Sequence, residues 1–258
     1  MPTFSSNGAQ INYQTFGNVN KPAVIFSNSL GTNYGMWQPQ INHFQNDFFV
    51  ICYDTRGHGA SSAPQGPYTL EQLGQDVVNL LDHLNIEKAV FCGISMGGLT
   101  GQWLAVHKAK RFNQVIVCNT AAKIGQEQAW NERAALVREQ GLQPIAATAA
   151  GRWFTESFIK SNAAEVEKLQ NSLAAGSAEG YASCCEALAK ADLSEQLKDI
   201  AVPVLVVAGQ QDPVTTVSDA QFMIEQIPNS QMFEINASHI SNIECPNEFN
   251  QAVQQFIA

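Results

Sequence analysis

Ser95 is the residue whose surroundings most invite chemistry. It stands in Gly93-Ile94-Ser95-Met96-Gly97-Gly98, a G-x-S-x-G pattern. A strand-like run, Ala89–Gly93, precedes it, and a helical stretch, Met96–His107, follows. A serine at a sharp strand-to-helix turn has a strained backbone and little room beside it, so glycines on either side remove side chains that would clash. Its hydroxyl then stands clear of the sheet. The start of the helix offers free N–H groups and the positive end of a dipole. The bland alternative is a small-residue turn between core elements. The strand before and the helix after favour a nucleophile.

A serine hydroxyl is a weak nucleophile until a base takes its proton. Among the five histidines, His239 is best placed, in the polar turn Asn236-Ala237-Ser238-His239 after the last expected strand and before the last helix. His43, His83 and His107 read as surface or packing histidines. His58 is an alternative base, but it lies in Asp54-Thr55-Arg56-Gly57-His58-Gly59, a block read as architectural, with Asp54 and Arg56 bracing loops beneath the site. A base works best when a carboxylate fixes its tautomer and stabilises its charged form. Asp212 follows the apolar run Val202–Gly209 and precedes Pro213, which puts it on a loop at a strand's C-terminal end. A turn aspartate before proline is its ordinary alternative. The developing oxyanion needs donors. The backbone N–H of Met96 and that of Leu30, in the loop Ser27–Gly31, are the candidates.

The elements that must hold these residues are legible in outline. Ala23–Asn28, Phe48–Tyr53, Ala89–Gly93, Gln114–Asn119, Val202–Gly209 and Gln231–Ile235 are apolar and rich in β-formers. Helical spacing appears at Leu70–Leu84, Met96–His107, Val217–Gln226 and after Pro246. Continuous apolar strands alternating with helices predict a mostly parallel central sheet covered on both faces. From about Ala122 to Leu193 the pattern is helical only. The expected organisation is an α/β core made of residues 1–121 and 194–258, with a helical cap inserted at 122–193. Such an insertion would lie over the strand ends, where open parallel sheets bind ligands.

With 258 residues, 45% hydrophobic and 14% charged, the chain can bury a large core. Its net charge of -9 disfavours nucleic acid and anionic membranes as partners. It leaves room for a small anion if a cation sits in the pocket. No apolar run approaches the roughly 18 residues of a membrane span, and no signal peptide is expected. The six cysteines show no CxxC spacing, and three of them (Cys52, Cys92, Cys118) lie in apolar runs. No disulfide framework, metal site or cofactor is expected, and a cytoplasmic location follows.

These blocks together resemble the α/β-hydrolase superfamily, whose triad order, Ser then Asp then His, matches Ser95, Asp212 and His239. The likeness narrows further. Phe26–Trp37 (FSNSLGTNYGMW), Gly93–Gly98 (GISMGG), Arg152–Thr155 (RWFT), Tyr181–Leu193 (YASCCEALAKADL), Ala208–Thr215 (AGQQDPVT) and Asn236–Glu244 (NASHISNIE) resemble the 3-oxoadipate enol-lactonases. The resemblance spans nearly the whole chain. It implies an α/β-hydrolase fold and hydrolysis of an enol-lactone to 3-oxoadipate through an acyl-enzyme on Ser95. An anionic lactone substrate needs a cationic partner when buried. Arg152 is the candidate, with Trp153 and Trp37 as pocket walls; a surface arginine and core tryptophans are the alternatives. A carboxylesterase, a perhydrolase or a carbon–carbon bond hydrolase would share the triad. A small-ligand receptor with little turnover is the reading from another class. Oligomeric state stays open.

Overall fold

The computed structural model describes residues 2–258. Eight strands form one sheet: β1 (Thr3–Ser6), β2 (Ala9–Phe16), β3 (Ala23–Ser27), β4 (Phe49–Tyr53), β5 (Ala89–Ile94), β6 (Phe112–Cys118), β7 (Val204–Gly209) and β8 (Ser230–Ile235). Their spatial order is β1-β2-β4-β3-β5-β6-β7-β8. β3 to β8 pair in parallel, whereas β1 and β2 are antiparallel. Every residue of β3, β4, β5 and β7 is buried, as expected of strands covered on both faces. The expected parallel sheet is therefore present. The N-terminal hairpin is an addition that the apolar runs of the sequence do not reveal. Its turn, Asn7-Gly8, has φ values of 43° and 80°, the left-handed pair that Asn-Gly adopts readily in a two-residue hairpin.

The register brings the chemistry to one edge. Ser27 pairs with Gly93, Ile94 with Cys118, Cys118 with Val207 and Gly209 with Ile235. The C-terminal ends of β3, β5, β6, β7 and β8 thus lie side by side. The loops that leave them carry Leu30, Ser95, Asn119, Asp212 and His239. The helix Met96–His107 packs on β5 and β6, and Leu70–His83 packs on that helix. Leu70–His83 begins with a capping box, in which Thr69 and Gln72 satisfy each other's backbone N–H groups. Trp37, Phe26, Phe44 and Phe249 fill the core between the short helix Gln38–Phe44, the sheet and the last helix, Pro246–Ile257.

Between β6 and β7 the chain forms helices only: Glu127–Gln140, Gln143–Ala147, Ala150–Trp153, Glu156–Ser161, Ala163–Ala174 and Ala178–Lys190. Glu127–Gln140 and Ala178–Lys190 pack on each other along their length. Arg138 joins them through Glu179 (2.9 Å) and Glu186 (2.6 Å). Among the described residues no helix is long and apolar enough to cross a membrane.

The insertion meets the core at two glycines. A Cβ on Gly180 would lie 2.2 Å from the carbonyl oxygen of Gly57, and one on Gly57 would lie 2.4 Å from the Cα of Gly180. The atoms met are backbone, so neither partner can turn aside. Gly57 also has φ of +78°, which glycine adopts without a Cβ penalty. Gly180 sits in a helix, where alanine would ordinarily stabilise by about 1 kcal/mol. Gly180→Ala is nevertheless expected to destabilise: overpacking costs about 3 kcal/mol against rigid neighbours. The net loss of about 2 kcal/mol should lower Tm by roughly 4 to 8 °C for a chain of this size. Calorimetry showing an unchanged or higher Tm would mean the two backbones separate at little cost.

Candidate active site

Ser95 stands between the end of β5 and the first turn of Met96–His107, with φ 57° and ψ −116°. This conformation costs a non-glycine residue on the order of 1 to 3 kcal/mol. Four hydrogen bonds hold the turn. The Ser95 N–H donates to Cys118 (2.9 Å) and the Gly97 N–H to Asn28 (3.1 Å). The Ser95 carbonyl accepts from the Leu99 N–H (2.9 Å) and the Thr120 hydroxyl (2.8 Å). The flanking glycines are needed sterically. A Cβ on Gly93 would meet the carbonyl oxygen of Gly97 at 2.3 Å, and one on Gly97 would meet that of Ser27 at 2.3 Å.

His239 is buried, and its Nδ1 lies 2.8 Å from Oδ2 of Asp212. With Nδ1 engaged, Nε2 is the ring nitrogen left to act. Asp212 is held in turn by the Val214 N–H (2.8 Å), the Thr215 N–H (3.1 Å), the Thr215 hydroxyl (2.8 Å) and the Asn119 amide (3.1 Å). Burial by itself would raise the Asp212 carboxyl. The hydrogen bond and charge of His239, then the two backbone amides, outweigh it and hold the carboxyl below its ordinary value.

Ser95 and His239 line one cavity of about 280 Å³. Their side chains share this cavity without a direct hydrogen bond between them. Leu30 lies on the same cavity. The N–H groups around it are claimed: Gly31 donates to His58 (2.9 Å) and Thr32 to Ser29 (3.2 Å). The Leu30 and Met96 N–H groups have no protein acceptor among the described residues. They are therefore available to an oxyanion.

The other predicted residues separate. Arg152 and Trp153 line the cavity. Trp37 does not. It is fully buried in the core, its Nε1 donates to Asn28 Oδ1 (3.1 Å), and its ring packs on Phe26 with centroids 4.7 Å apart. Its expected place as a pocket wall is corrected: the loop it supports, not its ring, reaches the site. His58 has both ring nitrogens engaged, Nε2 with the Gly31 N–H and Nδ1 with the Arg56 carbonyl (3.2 Å). Burial lowers its pKa, which keeps it neutral as the Gly31 bond requires. The geometry makes it a brace for the loop of Leu30, not a base. Asp54 and Arg56 brace loops as expected. Asp54 accepts from Tyr34, Asn12 and Ala60, and Arg56 makes two bonds of 2.6 and 2.7 Å to Asp76. His43, His83 and His107 contact Gln254, Tyr13 and Trp103 respectively.

Two residues at the site escaped the sequence. Asn119, at the end of β6, donates to both Asp212 and the Ser238 carbonyl (3.0 Å) and accepts from Ser241 (2.5 Å). Its amide type at a strand's C-terminal end was the available signal. Arg133 lines the cavity too, with its guanidinium 4.9 Å over the Trp130 ring. Of five arginines, Arg56, Arg111 and Arg138 pair with carboxylates. Among the described residues Arg133 and Arg152 have no carboxylate partner. Burial, and next the like charge of Arg133, push the Arg152 guanidinium below its ordinary pKa. Two guanidinium groups without a carboxylate partner thus line one cavity, and that of Arg152 donates to the Thr148 hydroxyl and the Thr148 and Ile145 carbonyls.

Ser95→Ala is expected to lower kcat by at least about three orders of magnitude with the fold intact, and Asp212→Asn by a similar factor. Near-normal turnover in either would refute the roles drawn from this geometry. Asp212 also links folding to pH. Its folded pKa is depressed, so its contribution to stability is present above the unfolded value of about 4 and is lost as pH falls through the folded value. Urea midpoints of the parent and Asp212→Asn should differ most above about pH 4 and converge below it. A difference independent of pH would mean the carboxylate charge contributes nothing.

Three comparisons bear on this arrangement. A family model described as alpha/beta hydrolase fold matches residues 22–246. A 3-oxoadipate enol-lactonase 2 of Acinetobacter baylyi is 65% identical over 98% of this chain and 94% of its own length. A 3-oxoadipate enol-lactonase 1 of the same organism is 48% identical over 97% of this chain and 94% of its own. Among solved structures, an enol-lactonase from Burkholderia xenovorans LB400 superposes with a TM-score of 0.97 at 41% identity, covering 99% of both chains. The chain belongs to the α/β-hydrolase fold family and, within it, to the 3-oxoadipate enol-lactonases.

Proposed function

We propose that this protein opens the ring of 3-oxoadipate enol-lactone to give 3-oxoadipate, with Ser95 as nucleophile, His239 as general base and Asp212 as its orienting acid. The observation that carries the reading is the cavity itself: Ser95 and His239 line it together with Arg133 and Arg152, which have no carboxylate partner among the described residues. An ester-cleaving site that also holds an anion suits a lactone bearing a free carboxylate. The 65% identity to an enol-lactonase supports the same substrate.

In this mechanism His239 Nε2 takes the Ser95 proton as Oγ attacks the lactone carbonyl. The oxyanion accepts hydrogen bonds from the Leu30 and Met96 N–H groups. Collapse breaks the bond from the acyl carbon to the ring oxygen. That oxygen leaves as an enol after taking the proton from His239, and the enol reverts to the ketone. Water, deprotonated by His239, then attacks the acyl carbon; the bond to Ser95 Oγ breaks, Oγ takes the proton back from His239, and the second carboxylate is released. Residues 122–193 serve as the cap, contributing Arg133, Arg152 and Trp153 to the pocket and limiting access of bulk water to it.

The test is a ratio of kcat/KM values on the anionic lactone and a small neutral aryl ester. Arg133→Met and Arg152→Met should each cost the lactone roughly 2 to 5 kcal/mol in transition-state binding, and less where water reaches the site. The neutral ester should lose far less. Equal losses on both substrates would indicate damage to the cap. A parent enzyme that turns over the neutral ester faster than the lactone would point to a general esterase.

A further inference from the structure

Glu244 makes an unusual use of its charge. It closes the short helix Ser241–Glu244, just beyond His239. Its Oε2 accepts from the Ser238 N–H (2.8 Å), and its Oε1 accepts from both the N–H (3.2 Å) and the hydroxyl of Thr155. No lysine, arginine or histidine pairs with it among the described residues. A half-buried carboxylate is thus held by uncharged donors alone. Those donors come from two places: the residue before His239, and the edge of the helical insertion.

A second bond runs parallel to this bridge. The Ile240 N–H, just after His239, donates to the Trp153 carbonyl (2.9 Å). The histidine's loop is therefore fastened to segment 153–155 on both flanks of His239. The adjoining residues, Arg152 and Trp153, line the cavity. Thr155 also starts the next helix, Glu156–Ser161, by accepting the Phe158 N–H (3.3 Å). Its hydroxyl thereby fixes the insertion's backbone while donating to Glu244.

We propose that Glu244 is a positioning residue that couples the cap edge to the base, so that substrate contacts with Arg152 and Trp153 set the placement of His239. This rests on the hydrolase reading above. All three partners of Glu244 are donors. Glutamine in its place would turn one acceptor into an N–H₂ group and break one side of the bridge. A base displaced by an ångström loses rate without losing substrate, because the pocket walls remain. The coupling would also favour an anionic substrate in kcat, since a neutral ester does not engage the arginines.

The full-length enzyme tests this with Glu244→Gln, Thr155→Val, Thr155→Ser and the double variant Glu244→Gln/Thr155→Val. Glu244→Gln should lower kcat on the lactone about 10- to 100-fold, the scale of a small misplacement of a catalytic group. KM should change less than about threefold, and the kcat advantage of the lactone over a neutral ester should shrink. Thr155→Val should behave alike, Thr155→Ser should retain activity, and the double variant should be no worse than the worse single one. Thr155→Val stands in if Glu244→Gln fails to fold. Unchanged kcat, a rise in KM alone, additive losses, or Thr155→Ser as damaging as Thr155→Val would each overturn the proposal. His239→Ala serves as the control. If it kept activity, the hydrolase reading would fall. If it is inactive while Glu244→Gln is normal, only the coupling falls.

Discussion

The site depends on one strained residue. Ser95 can face the cavity because β5 ends at a left-handed φ and a helix begins at the next residue. That conformation is unfavourable in isolation and persists because its surroundings over-determine it. Neighbouring strand ends supply acceptors, Thr120 supplies a donor, and two glycines leave room for backbone to meet backbone. The same turn leaves the Met96 N–H unclaimed. The outward Ser95 hydroxyl and the unclaimed Met96 N–H are thus products of a single backbone choice, and a relaxed turn would lose both.

Around that turn the sheet edge acts as a ruler. Parallel strands in register deliver Asp212 and His239 from β7 and β8 to the level at which β5 delivers Ser95. Buried polar groups then fix the side chains. Asn119 ties Asp212, the Ser238 carbonyl and the Ser241 hydroxyl into one network, and Asp212 accepts from backbone amides besides His239. A buried carboxylate is tolerable only when its lone pairs are occupied. Here the groups that occupy them also orient the base. His58 applies the same logic to the loop of Leu30: its Nε2 accepts the Gly31 N–H and leaves that of Leu30 unclaimed among the described residues.

Electrostatics divide by place. The protein carries a net charge of -9, and its long-range field repels anions. Inside the cavity the sign reverses, because Arg133 and Arg152 lack carboxylate partners while the other three arginines have them. Burial, and next the like charge of Arg133, hold the Arg152 guanidinium below its ordinary pKa. Both arginines belong to the helical insertion. It brings these cations to the cavity, whereas the sheet edge brings Ser95 and His239.

The sequence by itself determined the parallel sheet, the elbow at Ser95 and the candidate triad. Those signals are local: apolar runs of strand length, glycines around a serine, and polar turns after strands. It also placed Arg152 and Trp153 on the helical insertion. Only the tertiary structure decided which side chains share a cavity. Trp37 and Trp153 look alike in sequence, yet one is core and the other lines the pocket. Arg133 sits in a helix of mixed polarity, where an exposed arginine is the ordinary expectation. Its place emerges only from the cavity it lines, where it has no carboxylate partner among the described residues. Asn119 and Glu244 act across sequence separations of 93 and 89 residues. Such contacts leave no periodicity or spacing to find, because the packing of separate elements, not the chain around each residue, brings the partners within hydrogen-bond reach.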